Sequence, residues 1–522
     1  MPLETPAAVV SELASRGYNA EREAVTLLAG APDPERALER AVEAVPDNAV
    51  VVSTDHVRSV LQNGAQSAGS EERGPTPART GEDPEQNPYV STGTNTAKSV
   101  EVGGGVAVET EGGRGRQADP SRRDLAVAGD VTGQSTGTGE YRDFVATFRD
   151  RYERLSGQLR GRVNHRPAEA IAEMPGNSDA AIVGMVSDVR STKSGHWLVE
   201  LEDTTGTFPC LVMKDRDIAG LVEELLYDEV IAVEGTLADD GGVLFVDAIH
   251  FPDVPRTHSP STADRHVRAA LVSDVHVGSQ EFVADAWERF ADWLHTPEAA
   301  AVEYLLLCGD MVEGVGVYPG QDEELSVVDI YDQYEAFSEH LKSVPGDMEI
   351  VMIPGNHDAV RLAEPQPGFD EELRSIMSAH DARVVSNPAT VTLEGVSILM
   401  YHGVSLDEVI AELPEEKASY DDPHRAMFQL LKKRHVAPQY GGHVRLAPEE
   451  RDWLVIEEVP DVFHAGHVHK LGYGQYHGVL TINSGCWQAQ TAFQESVNID
   501  PDIGYAPIVD LDTLELTIRK FA

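Results

Sequence analysis

Five short fragments, each at the end of an apolar run, constrain this chain more than any other feature. They are Asp274-Val275-His276, Gly309-Asp310, Gly355-Asn356-His357-Asp358, Tyr401-His402-Gly403 and Gly466-His467-Val468-His469. The runs AALVSD, VEYLLLCGD, MEIVMIPGNHD, VSILMYHG and DVFHAGH carry them. Continuous Val/Ile/Leu/Met runs bounded by Gly or Pro suit strands covered on both faces. In open α/β sheets the reacting groups collect at strand ends, so five such ends can converge on one site. Any single fragment has a bland explanation, since a D-x-H or a G-D arises by chance and a lone His is commonly a satisfied polar residue. The ordered set does not. Asp, His and Asn offer oxygen and nitrogen to divalent metals, and seven of them arriving together are enough for two ions.

This ordered set resembles the calcineurin-like metallophosphoesterase superfamily, whose pattern is D-x-H, G-D, G-N-H-D/E, H and G-H-x-H. The resemblance implies that Asp274, His276, Asp310 and His469 hold one metal. It implies that Asp310, Asn356, His402 and His467 hold the other, with the Asp310 carboxylate bridging. His357 corresponds to the histidine that stabilises the transition state or protonates the leaving oxygen, and Asp358 would orient it. Two ions about 3.5–4 Å apart polarise a phosphodiester and lower the pKa of a water. A histidine with a pKa near 6.5 passes a proton at cellular pH. Mixed N/O donors suit manganese, iron or zinc; the resemblance favours manganese.

Charge bounds the setting. The 522 residues carry 88 acidic against 41 basic side chains, a formal net charge of −47, and only nine lysines. A protein this acidic repels itself and any nucleic acid at modest ionic strength. At molar salt the Debye length is about 3 Å and that repulsion is screened, so the composition reads as adaptation to the salt-rich cytoplasm of a halophilic archaeon. Cys210, Cys308 and Cys486 are far apart with no C-x-x-C, which argues for reduced core thiols and against a disulfide framework. The N-terminus lacks a basic start followed by an apolar segment, and no run approaches 18 apolar residues, so a cytoplasmic protein without a membrane span is expected.

The chain divides by composition. Residues 1–62 read as a small helical module, with AVVVSTDHVRSVL open to helix or strand. Residues 63–139 are rich in Gly, Ser, Thr, Glu and Asp and are expected to form a disordered acidic linker. Within 140–177, EYRDFVATFRDRYERLSGQLRGRVNH reads as an amphipathic helix with Tyr141, Phe144, Phe148, Tyr152 and Leu155 on one face. Its arginines, from Arg142 to Arg166, suit either a solvated face or a nucleic-acid or partner contact. Residues 178–256 give about five strands and a short internal helix, resembling an OB-fold barrel suited to single-strand binding or subunit docking. Residues 265–522 are expected to form an α/β sandwich of the phosphoesterase type, with GVGVYPGQDEEL as a substrate-facing loop. The fold class is therefore multidomain α+β.

That order of parts, with HRAMFQLLKKRHVAPQYGG, LAPEERDWLVIEEVPDVFHAGHVH and LTINSGCWQAQTAFQ, resembles the small-subunit family of archaeal family-D DNA polymerases. The resemblance implies a 3′–5′ proofreading exonuclease that acts on DNA beside a separate large catalytic subunit. The sliding clamp stands as a further candidate partner, although no clamp-binding peptide is evident. Lys432, Lys433 and Arg434 are candidate substrate contacts and equally a partner dock. The alternatives are a non-catalytic scaffold subunit with a vestigial site and a free-standing phosphatase or repair nuclease.

Overall fold

A computed structural model of the chain describes residues 120–522 apart from positions 319, 443 and 497, with scattered positions between 9 and 60. Most of the expected linker, residues 63–119, lies outside the described residues. Among the described N-terminal positions, helices Arg22–Ala29 and Pro34–Ala44 pack through Ala24, Leu28, Leu38 and Ala41. Asn19–Ala20 pairs in parallel with Val51–Val52, so AVVVSTDHVRSVL contains a short strand.

Two six-stranded sheets stack face to face, all but one of their strands drawn from the C-terminal half. The first runs Arg383–Val384, Glu349–Ile353, Val302–Cys308, Arg268–Val272, Tyr505–Asp510, Glu515–Lys520, its first four strands parallel. The second runs Leu471–Tyr476, Val479–Ser484, Val462–Ala465, Val396–Met400, Ala389–Leu393, Leu125–Ala128. The two-residue period of a strand places alternate side chains on opposite faces. Leu306 and Cys308 thus face the inter-sheet core with Met400 and Val462, while Leu305 and Leu307 join Trp287, Phe290, Tyr334 and Phe337 from helices Ala284–Leu294 and Ile330–Leu341. On the far side, Tyr401 and Phe463 pack on helices Ser405–Glu412 and Pro423–Lys433 through Leu406, Met427 and Leu430. Apolar cover on both faces explains why these strands read as unbroken apolar runs.

The expected linker ends earlier than its composition suggests. Leu125–Ala128 is an edge strand antiparallel to Ala389–Leu393, followed by fully buried Val131. An edge strand half covered on one face needs only two inward side chains, so the four residues LAVA suffice inside a polar stretch.

Five strands close into a barrel in the order Asp179–Ser191, Trp197–Asp203, Gly206–Val212, Leu244–His250, Val230–Leu237. Its interior holds Ile182, Val199, Leu201, Phe208, Cys210, Val233 and Val246. Helix Tyr141–Leu159 lies against it, burying Tyr152, Leu155 and Leu159. Tyr141, expected on the apolar face, is instead 84% exposed because it occupies the first turn beyond the packed surface. The arginines divide as well. Arg151 is buried on Asp452 at 2.6 Å, Arg154 donates to the Asp452 carbonyl at 2.6 Å, and Arg162 donates to the Phe251 carbonyl at 2.8 Å, so these three serve the chain itself. No helix among the described residues is long and apolar enough to cross a membrane.

Candidate metal centre and its family

Four of the five fragments line one cleft of about 190 Å³, and His402 of the fifth lies against its Asp310 and His467. Asp274, His276 and His469 form one trio of donors, and Asp310, His402 and His467 a second; within each trio one donor atom per residue lies within 4.8 Å of the others. Asp310 Oδ2 sits between them, 3.8 Å from His276 Nε2 and 3.2 Å from His402 Nε2. Asn356 Oδ1 is 3.0 Å from His402 Nε2. All seven expected donors are thus brought together.

The backbone carries strain to achieve this. Asp274, His276, Asp310, His467 and His469 all have φ between 50° and 71°. Left-handed backbone is uncommon for non-glycine residues, costs of order 1–3 kcal/mol each and clusters at functional sites. Two motif glycines are present for close approach: a Cβ on Gly355 would collide with the Asp310 carboxylate, and one on Gly466 with Asp274.

Each histidine is held by the ring nitrogen turned away from the trios. His276 Nδ1 donates to Glu313 at 2.9 Å, and His402 Nδ1 to the Cys308 carbonyl at 2.9 Å. His469 differs: its Nδ1 accepts from the Gln494 side-chain amide at 2.8 Å. His467 Nε2 donates to Asp407 at 3.0 Å, which leaves Nδ1 for the second trio. In His276, His402 and His467 the outer nitrogen donates to a carboxylate or carbonyl, as metal-ligating histidines require.

The electrostatics agree. Burial would lower the His276 pKa, but the Glu313, Asp310 and Asp274 carboxylates raise it to about 9. Burial would likewise lower His402, but Asp310 and Asp274 raise it to about 10. Asp310, which burial would raise, is held well below its usual range by His402 and His357. The cluster therefore demands positive charge, and divalent ions supply it while displacing protons. The donors present fit two such ions.

Comparison with known proteins places the chain. A profile of the B-subunit family of DNA polymerases alpha and epsilon matches residues 269–471. The DNA polymerase II small subunit of Halobacterium salinarum is 66% identical over 522 residues, covering 100% of both chains. That of Archaeoglobus fulgidus is 44% identical over 72% of this chain and 77% of its own. That of Pyrococcus furiosus is 39% identical over 72% of this chain and 62% of its own. The chain belongs to the archaeal DNA polymerase II small subunits.

Two expectations for this small subunit are corrected by its structure. Asp358 was expected to orient His357, but its buried carboxylate accepts from the Tyr334 hydroxyl at 2.9 Å and the Gly355 N–H at 2.8 Å. His357, which lines the cleft, instead donates through Nδ1 to the Glu313 carbonyl at 2.7 Å. Desolvation, then the Asp310 charge, raises Asp358 to about 7. Lys432, Lys433 and Arg434 were candidate substrate contacts, yet Lys433 and Arg434 are buried. Lys432 pairs with Glu224 at 2.5 Å and Lys433 with Glu229 at 3.0 Å, while Arg434 donates to the Ile456 carbonyl at 2.9 Å. The cluster docks the barrel onto the sandwich, because a buried lysine needs a carboxylate partner that the barrel provides.

Motif matching passed over four residues of the small subunit's cleft. Glu313 accepts from His276, from the Tyr318 hydroxyl at 3.1 Å and from Gln488 at 2.7 Å; Asp407, Gln488 and Gln494 complete the supporting set. Only Glu313, three residues after Asp310, carried a positional hint. The expected substrate-facing loop does reach the cleft, through Tyr318.

Proposed function

We propose that this small subunit is the 3′–5′ proofreading exonuclease of a two-subunit archaeal DNA polymerase, built on a calcineurin-like phosphoesterase sandwich preceded by an OB-type barrel. The observation that carries this reading is the convergence of seven donors on five strand ends, with the outer nitrogen of every donor histidine anchored. Its large subunit supplies polymerisation, DNA is the substrate, and the sliding clamp is a further candidate contact.

Asp274, His276, Asp310 and His469 would hold one divalent ion and Asp310, Asn356, His402 and His467 the other, with manganese the leading candidate. When bound, such a pair polarises the phosphodiester and brings a water towards neutral pKa. The chain's own residues do the rest. Asp310, placed between the trios, keeps them in register. His357, fixed through Nδ1, offers Nε2 to the non-bridging or leaving oxygen. Glu313 fixes His276 through its carboxylate and His357 through its carbonyl, so donor and proton-transfer histidine move as one unit. A purely structural subunit gains nothing from five strained residues, four of them lining a cleft, which weighs against the scaffold reading.

The test is metal stoichiometry and nuclease activity of Asp310→Asn beside the unaltered chain. Two manganese ions per wild-type chain, with loss of one or both and of DNA hydrolysis in the variant, would support the reading. One ion or none in the wild type, with no hydrolysis even beside the large subunit, would refute it.

A further inference from the structure

Phe493 is 59% exposed at the rim of the cleft, and it has no polar tip to justify that exposure. Its ring stacks on Tyr318 with centroids 6.3 Å apart and planes 26° from parallel. Tyr318 is in turn fixed by two carboxylates, Glu313 at 3.1 Å and Glu324 at 3.0 Å from its hydroxyl. Phe493 lies on the short helix Ala492–Ser496, whose start is locked reciprocally: the Thr491 N–H donates to Gln494 Oε1 at 3.1 Å and the Gln494 N–H to Thr491 Oγ1 at 3.2 Å. The Gln494 amide of the same turn holds His469. One turn of chain therefore sets both a donor histidine and an exposed aromatic face. Tyr420 lines the cleft from the second trio, tied at 3.0 Å to the Asp407 that anchors His467.

We propose that Phe493, backed by Tyr318, is a stacking platform for the base of the terminal nucleotide, and that it makes the site prefer unpaired ends. This rests on the nuclease reading above and assigns a residue that selects the substrate's state. Aromatic faces are the sequence-tolerant way to hold bases of a single strand. A paired terminal base is held by its partner and by stacking on its inner neighbour, so a frayed or mismatched end reaches the platform at lower cost. Among the described residues that line the cleft there is no lysine or arginine to grip phosphates, which leaves ring contact as the chain's own source of affinity.

The experiment uses the full-length chain in molar KCl and a DNA strand carrying 2-aminopurine at its 3′ end, unpaired or paired. The unaltered protein is expected to quench the unpaired fluorophore by stacking, Phe493→Trp to keep the quench, and Phe493→Ala to lose it with roughly tenfold weaker binding. Hydrolysis of mismatched over paired ends, measured in parallel with manganese, should fall in ratio in Phe493→Ala. Quenching and binding unchanged by Phe493→Ala would overturn the platform, even where hydrolysis is robust. Quenching that depends on Phe493 in a chain that hydrolyses nothing, even beside the large subunit, would uphold the platform and overturn the nuclease reading alone.

Discussion

Glu313 is buried where four polar groups converge: the His276 ring, the Tyr318 hydroxyl and the Gln321 and Gln488 amides. Burial alone would raise its carboxyl, yet the His276 charge and hydrogen bond bring it down to about 2, so it is a fixed anion. Glu313→Gln keeps the shape and removes the charge. Manganese affinity should then fall about 10–100-fold, measured by calorimetric titration; unchanged affinity would mean that Glu313 only fills space. A second residue sets a pH dependence away from the cleft. His435 donates through Nε2 to Asp452 at 2.9 Å and accepts at Nδ1 from the Ala437 N–H at 3.0 Å, an arrangement open only to the neutral ring. Burial, then the Arg151 charge, pushes its pKa down to about 4. The unfolded chain protonates this ring near pH 6.5. Its contribution is therefore complete above pH 6.5 and is lost as pH falls from 6.5 towards about 4, on the order of 3 kcal/mol in all. Denaturation across that range should show a shallower pH slope in His435→Gln; an identical slope would contradict the assignment. The donors were legible because residue type and motif order survive in one dimension. Glu313, Gln488 and Gln494 were not, because a residue that holds a histidine from behind can come from any segment.

At the scale of elements, the strands were the plainest part of the sequence, since cover on both faces leaves unbroken apolar runs at Arg268–Val272, Val302–Cys308 and Glu349–Ile353. The Leu125–Ala128 strand was hidden because pairing with an existing edge supplies what four residues cannot supply alone. The helix Pro423–Lys433 misled in a different way. Three basic residues at its end looked like a nucleic-acid contact, and only the fold shows the barrel carboxylates that they meet. Lys433 also donates to the Glu224 carbonyl at 2.7 Å, so it ties two points of the barrel to this helix. Lys433→Ala would strand Glu229 in a buried site and should cost about 3–5 kcal/mol in chemical denaturation. Pairing Lys433→Met with Glu229→Gln removes both charges, keeps an acceptor for the Leu226 N–H and should recover most of that loss. A single-variant cost below about 1 kcal/mol would show that the pair is not what docks the barrel.

For the whole molecule, charge governs. A net charge of −47 over 522 residues works against compaction wherever salt does not screen it. Ion pairs such as Arg265 with Glu303 and Glu394, both at 2.6 Å, offset only a small part of the excess. Thermal stability should rise with KCl from 0.1 M into the molar range, where the Debye length shrinks from about 10 Å to about 3 Å; a melting temperature that falls or stays flat over that range would contradict this. On the proposed nuclease reading, the same screening lets DNA approach so acidic a protein, so nuclease assays belong in molar salt. The proposed hydrolytic site stands or falls with His357 as its proton-transfer group. The most direct measurement is manganese-dependent release of nucleotides from a 3′-mismatched primer by the small subunit with its large partner, comparing wild type with His357→Ala while bound metal is counted. Equal metal content and a rate reduced about 10²–10⁴-fold are expected in the variant. Wild-type rates in His357→Ala, or no release by the wild type with both ions bound, would contradict the proposal.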